Sequence, residues 1–180
     1  MKKLASGALF AWLVAISAFG QNSPNADFSL QYSPLYVETG YTIWMNGVSG
    51  SATRNLNDWF GFEGDFGVYR GHVPESITGE TYMAGPRVSF RKFDRVVPFA
   101  QNLFLQALLG GSHFSQSTGG ITGGGTQFAL AVGGGVDIAL GTAGKFAIRP
   151  KIEYVGIRSS GSLTPTTRLS IGIAYRLGQR

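Results

Sequence analysis

Several things are missing from this chain, and each absence closes off a class of function. There is no cysteine among its 180 residues, so no disulfide, thiolate zinc site or lipid-modified cysteine anchor is possible. There are only two histidines, His72 and His113. No stretch has the spacing of a metal-ligand set, and no metal or other cofactor is expected. Charge is sparse at 14%, and the small basic excess is scattered, which argues against nucleic acid as a partner. After the first twenty residues no run approaches the ~20 apolar residues of a helical membrane span. A membrane location would therefore require a closed β-barrel, the other structure that satisfies every backbone N–H and C=O internally.

What is present begins with "MKKLASGALFAWLVAISAFGQN". Lys2 and Lys3 precede an apolar stretch from Leu4 to Phe19, and Ala18 and Gly20 are small. This is the pattern of a secretory signal cut after Gly20. Residues 1–20 are thus expected to leave, and residues 21–180 to form one domain.

That domain reads as eight strands. They are predicted at Phe28 to Tyr36, Trp44 to Arg54, Phe60 to Tyr69, Tyr82 to Phe90, Phe99 to Leu109, Phe128 to Leu140, Phe146 to Tyr154 and Arg168 to Leu177. The last, "RLSIGIAYRL", alternates without a break. Leu169, Ile171, Ile173, Tyr175 and Leu177 fall on one face, and Arg168 and Arg176 on the other. The predicted lengths are near the ~9–11 residues that cross a bilayer at a tilt. Short links at Asn55 to Asp58, Arg91 to Pro98 and Gly141 to Lys145 alternate with longer ones at Arg70 to Thr81, Gly110 to Gln127 and Val155 to Thr167. Outer-membrane barrels have this asymmetry. Aromatics on the apolar parity mark both strand ends: Phe60, Phe90, Phe99, Phe146 and Tyr175 at one, Tyr82, Phe128 and Tyr154 at the other. Pro86 and Pro150 fall inside predicted strands. Each deletes a ladder hydrogen bond, so a bulge or local bend is expected at each.

The opposite parity carries glycines and charges. Glu63, Asp65, Arg87, Asp137, Arg149, Lys151, Glu153 and Arg168 all lie on it. Both signs recur on neighbouring strands, as expected of an ion-pair network enclosed in a barrel. Symmetric turns place Glu63 opposite Arg87, Glu153 opposite Arg168, and Asp137 diagonal to Arg149, within cross-strand reach. An eight-stranded barrel is just wide enough inside for side chains to fill. The network reads first as a structural plug, with glycines receiving the large groups of other strands.

Three blocks carry a resemblance: "TYMAGPRVSFRKFDRVVPFAQNLFLQALLGG", "LAVGGGVDIALGTAGKFAIRP" and "RLSIGIAYRLG". Together they resemble the outer-membrane β-barrel domain proteins, relatives of the small OmpA-like barrels. The resemblance implies an all-β, eight-stranded, antiparallel up-and-down barrel, monomeric, in the outer membrane of a diderm bacterium, without enzymatic chemistry. Outer-membrane lipid, lipopolysaccharide and the barrel-assembly machinery are the partners that follow. Such barrels usually end on an aromatic residue; here Leu177 takes that place, with Tyr175 the nearest aromatic.

The expected function is structural or surface-binding, exerted by loops held at the cell surface. A narrow porin-like channel for small solutes is the alternative, and a secreted lipocalin-like binding barrel comes third. His72 and His113 are expected in solvated loops. In "GGSHFSQS" the serines beside His113 lack the held geometry of a nucleophile and base. "GGITGGGT", Gly119 to Thr126, has no Lys-Ser/Thr of a phosphate loop and reads as a flexible tip.

Overall fold

In the computed structural model the chain is described over residues 24–38, 42–71, 76–91, 100–118, 121–141, 145–159 and 161–179. The expected signal segment, His72 and Phe99 lie outside these residues. Nine strand segments follow in order. They are β1 (Pro24–Tyr32), β2 (Leu35–Glu38), β3 (Thr42–Asn55), β4 (Phe60–Gly71), β5 (Ser76–Phe90), β6 (Ala100–Thr118), β7 (Ile121–Leu140), β8 (Phe146–Ser159) and β9 (Ser162–Gln179). Each pairs antiparallel with its neighbours, and β1 meets both β3 and β9, so the sheet closes into a barrel without helices among the described residues.

The nine segments make eight staves. Predicted strand one is split at Ser33 and Pro34, yet its two halves share one register. Tyr32 faces Val48 and Leu35 faces Met45 on β3; Tyr32 faces Ile171 and Leu35 faces Arg168 on β9. Ser33 N–H donates to the Gly47 carbonyl at 2.8 Å, and the Pro34 carbonyl accepts from Leu169 N–H at 3.2 Å. Proline removes one donor here and nothing else.

Of the bulge or local bend expected at Pro86 and Pro150, no bulge forms at either, since the register does not shift there. Pro86 pairs with Phe62, and Pro150 with Ile171. On the other flank of each proline the ladder skips two residues and resumes in the same register: Ala84↔Leu109 then Arg87↔Gln106, and Gly135↔Lys151 then Ile138↔Ile148. The missing N–H is accommodated by a local gap. The register shift lies instead on β6, between Ala100 and Asn102.

The expected long loops are corrected more heavily. Gly110 to Gln127 is almost wholly strand, with β6 and β7 paired as far as Thr118↔Ile121. Strand also covers most of Arg70 to Thr81 and Val155 to Thr167. The asymmetry is one of strand length: the staves run on past one rim. That upper rim carries the hairpins at Glu38/Thr42, Gly71/Ser76, Thr118/Ile121 and Ser159/Ser162. The lower rim carries Asn55/Phe60, Phe90/Ala100 and Leu140/Phe146, with Pro24 and Gln179. The glycine-rich tip alternates too little in hydrophobicity to read as strand from pattern alone.

Burial follows parity. Along β4 the pattern is alternating, with Glu63, Asp65, Gly67 and Tyr69 buried and Phe62, Phe66 and Val68 exposed. On β9 Arg168 is fully buried, whereas Leu169, Ile171 and Ile173 are exposed, Ile171 to 56%. Apolar side chains point outward and ionic ones inward.

Candidate functional site: the barrel interior

Among the described residues nine charged side chains are enclosed, none more than 4% exposed. They fall into two clusters: the upper is balanced in charge, and the lower holds one more carboxylate than cation until Arg176 joins it at its margin. In the lower cluster Arg87 and Arg149 share Asp27 and Asp137. Arg87 reaches Asp27 at 3.2 Å, Glu63 at 3.0 Å and Asp137 at 3.7 Å. Arg149 reaches Asp27 at 2.8 Å and Asp137 at 2.6 Å. Arg176, 15% exposed at its side chain, adds a third cation at 3.2 Å from Asp137. The Arg87 guanidinium stacks 3.7 Å above the Phe104 ring, an electrostatic attraction strengthened by desolvation.

In the upper cluster Arg168 binds Asp65 and Glu153, both at 2.7 Å. Lys151 binds the same two carboxylates at 3.3 and 3.1 Å. Its 4.0 Å contact with Glu63 joins the two clusters. Gln106 donates to Glu153 at 2.8 Å, and Arg168 donates to the Tyr69 hydroxyl oxygen at 2.9 Å. Buried charges are tolerated when paired and hydrogen-bonded, and costly when a partner is lost.

The geometry corrects two expected pairings. Glu63 stands opposite Gly85, and Arg87 opposite Gly61. The β4–β5 register differs by two residues from the symmetric-turn estimate, so the long arginine side chain spans a diagonal. Asp137 and Arg149 are level with each other rather than diagonal, bracketed by Gly135↔Lys151 and Ile138↔Ile148. Glu153 does face Arg168 directly. Asp27 is the member that sequence reasoning missed, because strand one was begun at Phe28. Its parity with Ser29 and Gln31 was the available signal.

Above the ionic layers the interior turns apolar, which the alternation also missed. Leu35, Met45, Tyr69, Met83, Leu108, Ala129, Ala131, Val155 and Ile157 form one buried cluster, with Val37, Ile77 and Phe114 packed on it. These residues share the inward parity of the charges below them. At this height the outer face becomes polar: Arg70, Thr78, Glu80, Thr126 and Arg158 are exposed on β4, β5, β7 and β8. The barrel inverts its polarity with height, as it must if hydrocarbon surrounds only its lower part.

Glycines serve as sockets for large inward groups. A Cβ at Gly47 or Gly67 would overlap the Tyr69 ring, and one at Gly79 would overlap Phe114. A Cβ at Gly135 would come 2.8 Å from Cζ of Phe104. Close packing in so narrow a cylinder requires this alternation of large and absent side chains.

Outside, Phe146 and Tyr154 bound the apolar face of β8. Eight residues at ~3.3 Å, tilted ~40°, span about 20 Å, near the ~25 Å apolar band of such barrels. On the upper edge of this band Tyr32 and Trp44 both donate to Oδ1 of Asn46, and Trp44 meets Tyr36 edge-on at 6.0 Å. Amphipathic rings with satisfied polar tips suit a membrane interface.

His113 sits on β6 rather than in a loop. Its ring lies between the Thr126 hydroxyl at 3.2 Å and the Ser115 hydroxyl at 3.3 Å. Among the described residues no carboxylate hydrogen-bonds it, and none groups with others as a metal site. Ser112 is buried on the opposite face of the strand.

An all-antiparallel closed cylinder, apolar outside and ionic within, is the deciding geometry. The fold is that of the small outer-membrane β-barrels. Neisserial surface protein A, an example of this fold, matches with a TM-score of 0.71 and 16% identity, over 87% of this chain and 100% of that one. The attachment invasion locus protein Ail of Yersinia pestis matches at 0.60 and 20%, over 86% and 99%. The N-terminal β-barrel domain of Pseudomonas aeruginosa OprF matches at 0.54 and 13%, over 86% and 98%. No family model matches the chain, and no curated protein matches it in sequence. At these identities the small-barrel likeness is one of fold.

Proposed function

We propose that this protein is a plugged outer-membrane barrel that anchors and presents strand hairpins at the cell surface. The upper rim faces outward and the lower rim, with both described ends, faces the periplasm. One observation carries this reading: the lumen is filled twice over, by the paired ionic layers and by the apolar cluster above them. Water and ions cross a barrel where its lumen is wide and polar, as in the much larger porins. Here passage requires both layers to part. The protein acts without catalysis, as a monomer among outer-membrane lipid and lipopolysaccharide, delivered by a cleaved signal and inserted by the barrel-assembly machinery.

The test is conductance. The refolded protein in a planar bilayer should show no single-channel steps, and in cells it should fractionate with the outer membrane as a heat-modifiable band. Regular steps at physiological salt would replace this reading with the narrow channel. A refolded chain that stays monomeric without detergent would replace it with a secreted binding barrel.

A further inference from the structure

The β6–β7 hairpin rises above the rest of the wall. β5 accompanies β6 as far as Ser76↔Ser117, and β4 still flanks β5 at Gly71↔Ile77. On the other side no described strand accompanies the top of β7. β7 pairs with β8 only from Ala129↔Ile157 downward. β8 ends at Ser159, where it meets Ser162 of β9. In the β7–β8 register Ser159 stands level with Gln127, so higher residues have no β8 to meet. Among the described residues, Ile121–Thr126 therefore pairs on the β6 side alone.

An unpaired edge is a template for another strand, and proteins ordinarily blunt it with lysine, proline or a bulge. "ITGGGTQF" has no charge and no proline, and its register with β6 is unbroken. Gly124, Gly125 and Thr126 are exposed. Gly125 faces Phe114, whose ring leans the other way, onto Gly79. A Cβ added at Gly125 meets nothing within 4 Å. Edge glycines of this kind are where a bulky side chain of an added strand packs.

We propose that Ile121–Thr126 is a strand-addition site for an extended, uncharged segment of another surface protein. Main-chain hydrogen bonds supply the affinity, and a large apolar side chain lies over Gly125 beside Phe114. This rests on the upper rim facing outward. A second copy in the same membrane rises in the same direction, so its β7 could add only in parallel, the weaker pairing. A foreign segment is free to add antiparallel.

The probe is a capped synthetic peptide alternating threonine with valine, with a central phenylalanine, added to the isotope-labelled barrel in lipid nanodiscs. Backbone amides on the free side of residues 122–126 should slow in hydrogen exchange about tenfold or more, saturably. The peptide N-methylated at alternate residues should give no protection. Gly125→Val, which leaves the hairpin room to fold, should weaken the effect. No protection at millimolar peptide, or equal protection by the N-methylated form, would overturn the proposal. So would a disulfide-linked dimer of Thr126→Cys in vesicles, which assigns the edge to a second copy. Fractionation and conductance are read without peptide, so failure of the anchoring role is seen separately.

Discussion

Glu63 reaches Arg87 at 3.0 Å although the residue facing Glu63 across the ladder is Gly85. The contact is a diagonal one, made by a long side chain across a two-residue offset. Arg87 then has reach to spare for Asp27, on the other side of the barrel.

The register is testable because the chain has no cysteine of its own. Val68 faces Glu80 on the outer wall of the same strand pair. Val68→Cys with Glu80→Cys should form a disulfide under mild oxidation. Val68→Cys with Tyr82→Cys, the symmetric-turn alternative, should stay reduced. The reverse result on a non-reducing gel would put β5 two residues out of place.

Arg168 is fully buried between Asp65 and Glu153. Arg168→Met leaves two carboxylates enclosed with only Lys151 between them. The expected loss is ~3–5 kcal/mol of unfolding free energy, the usual cost of breaking a buried pair. Urea titration in lipid vesicles, followed by tryptophan fluorescence, measures it. Adding Glu153→Gln should recover a large part, since the unpaired charge is then gone. No recovery would mean that packing, not charge, sets the cost.

Gly67 is a socket for Tyr69 and Thr81. Gly67→Ala should destabilise by about 1–3 kcal/mol, because the ring is also packed against Gly47 and its hydroxyl accepts from Arg168. Combined with Tyr69→Leu the penalty from the extra methyl should fall. Additive losses in the double variant would show that the two positions do not touch.

Charge on the outer wall should be judged by height. Ile171→Lys lies within the apolar band and should cost ~2–4 kcal/mol if lipid surrounds it. Leu163→Lys, facing Arg158 near the upper rim, should be nearly neutral. Equal tolerance at both sites would mean that no bilayer covers Ile171.

The chain's own pattern determined the barrel. Period-two alternation at Arg168–Leu177 assigns a face to every side chain, and the charged members of the inward face were legible without coordinates. That inference is local, since parity along one strand needs no knowledge of its neighbours. What alternation cannot give is how far one strand slides against the next, which turn geometry and proline gaps decide. Hence Glu153 with Arg168 was readable, Glu63 with Arg87 was displaced, and Asp27 was overlooked. Nor does alternation say at which height the surroundings change from lipid to water. Met83 and Arg87 share one face of β5, and both are buried. Only closure of the cylinder shows that one lies in an apolar layer and the other in an ionic one, and that β7 outruns β8.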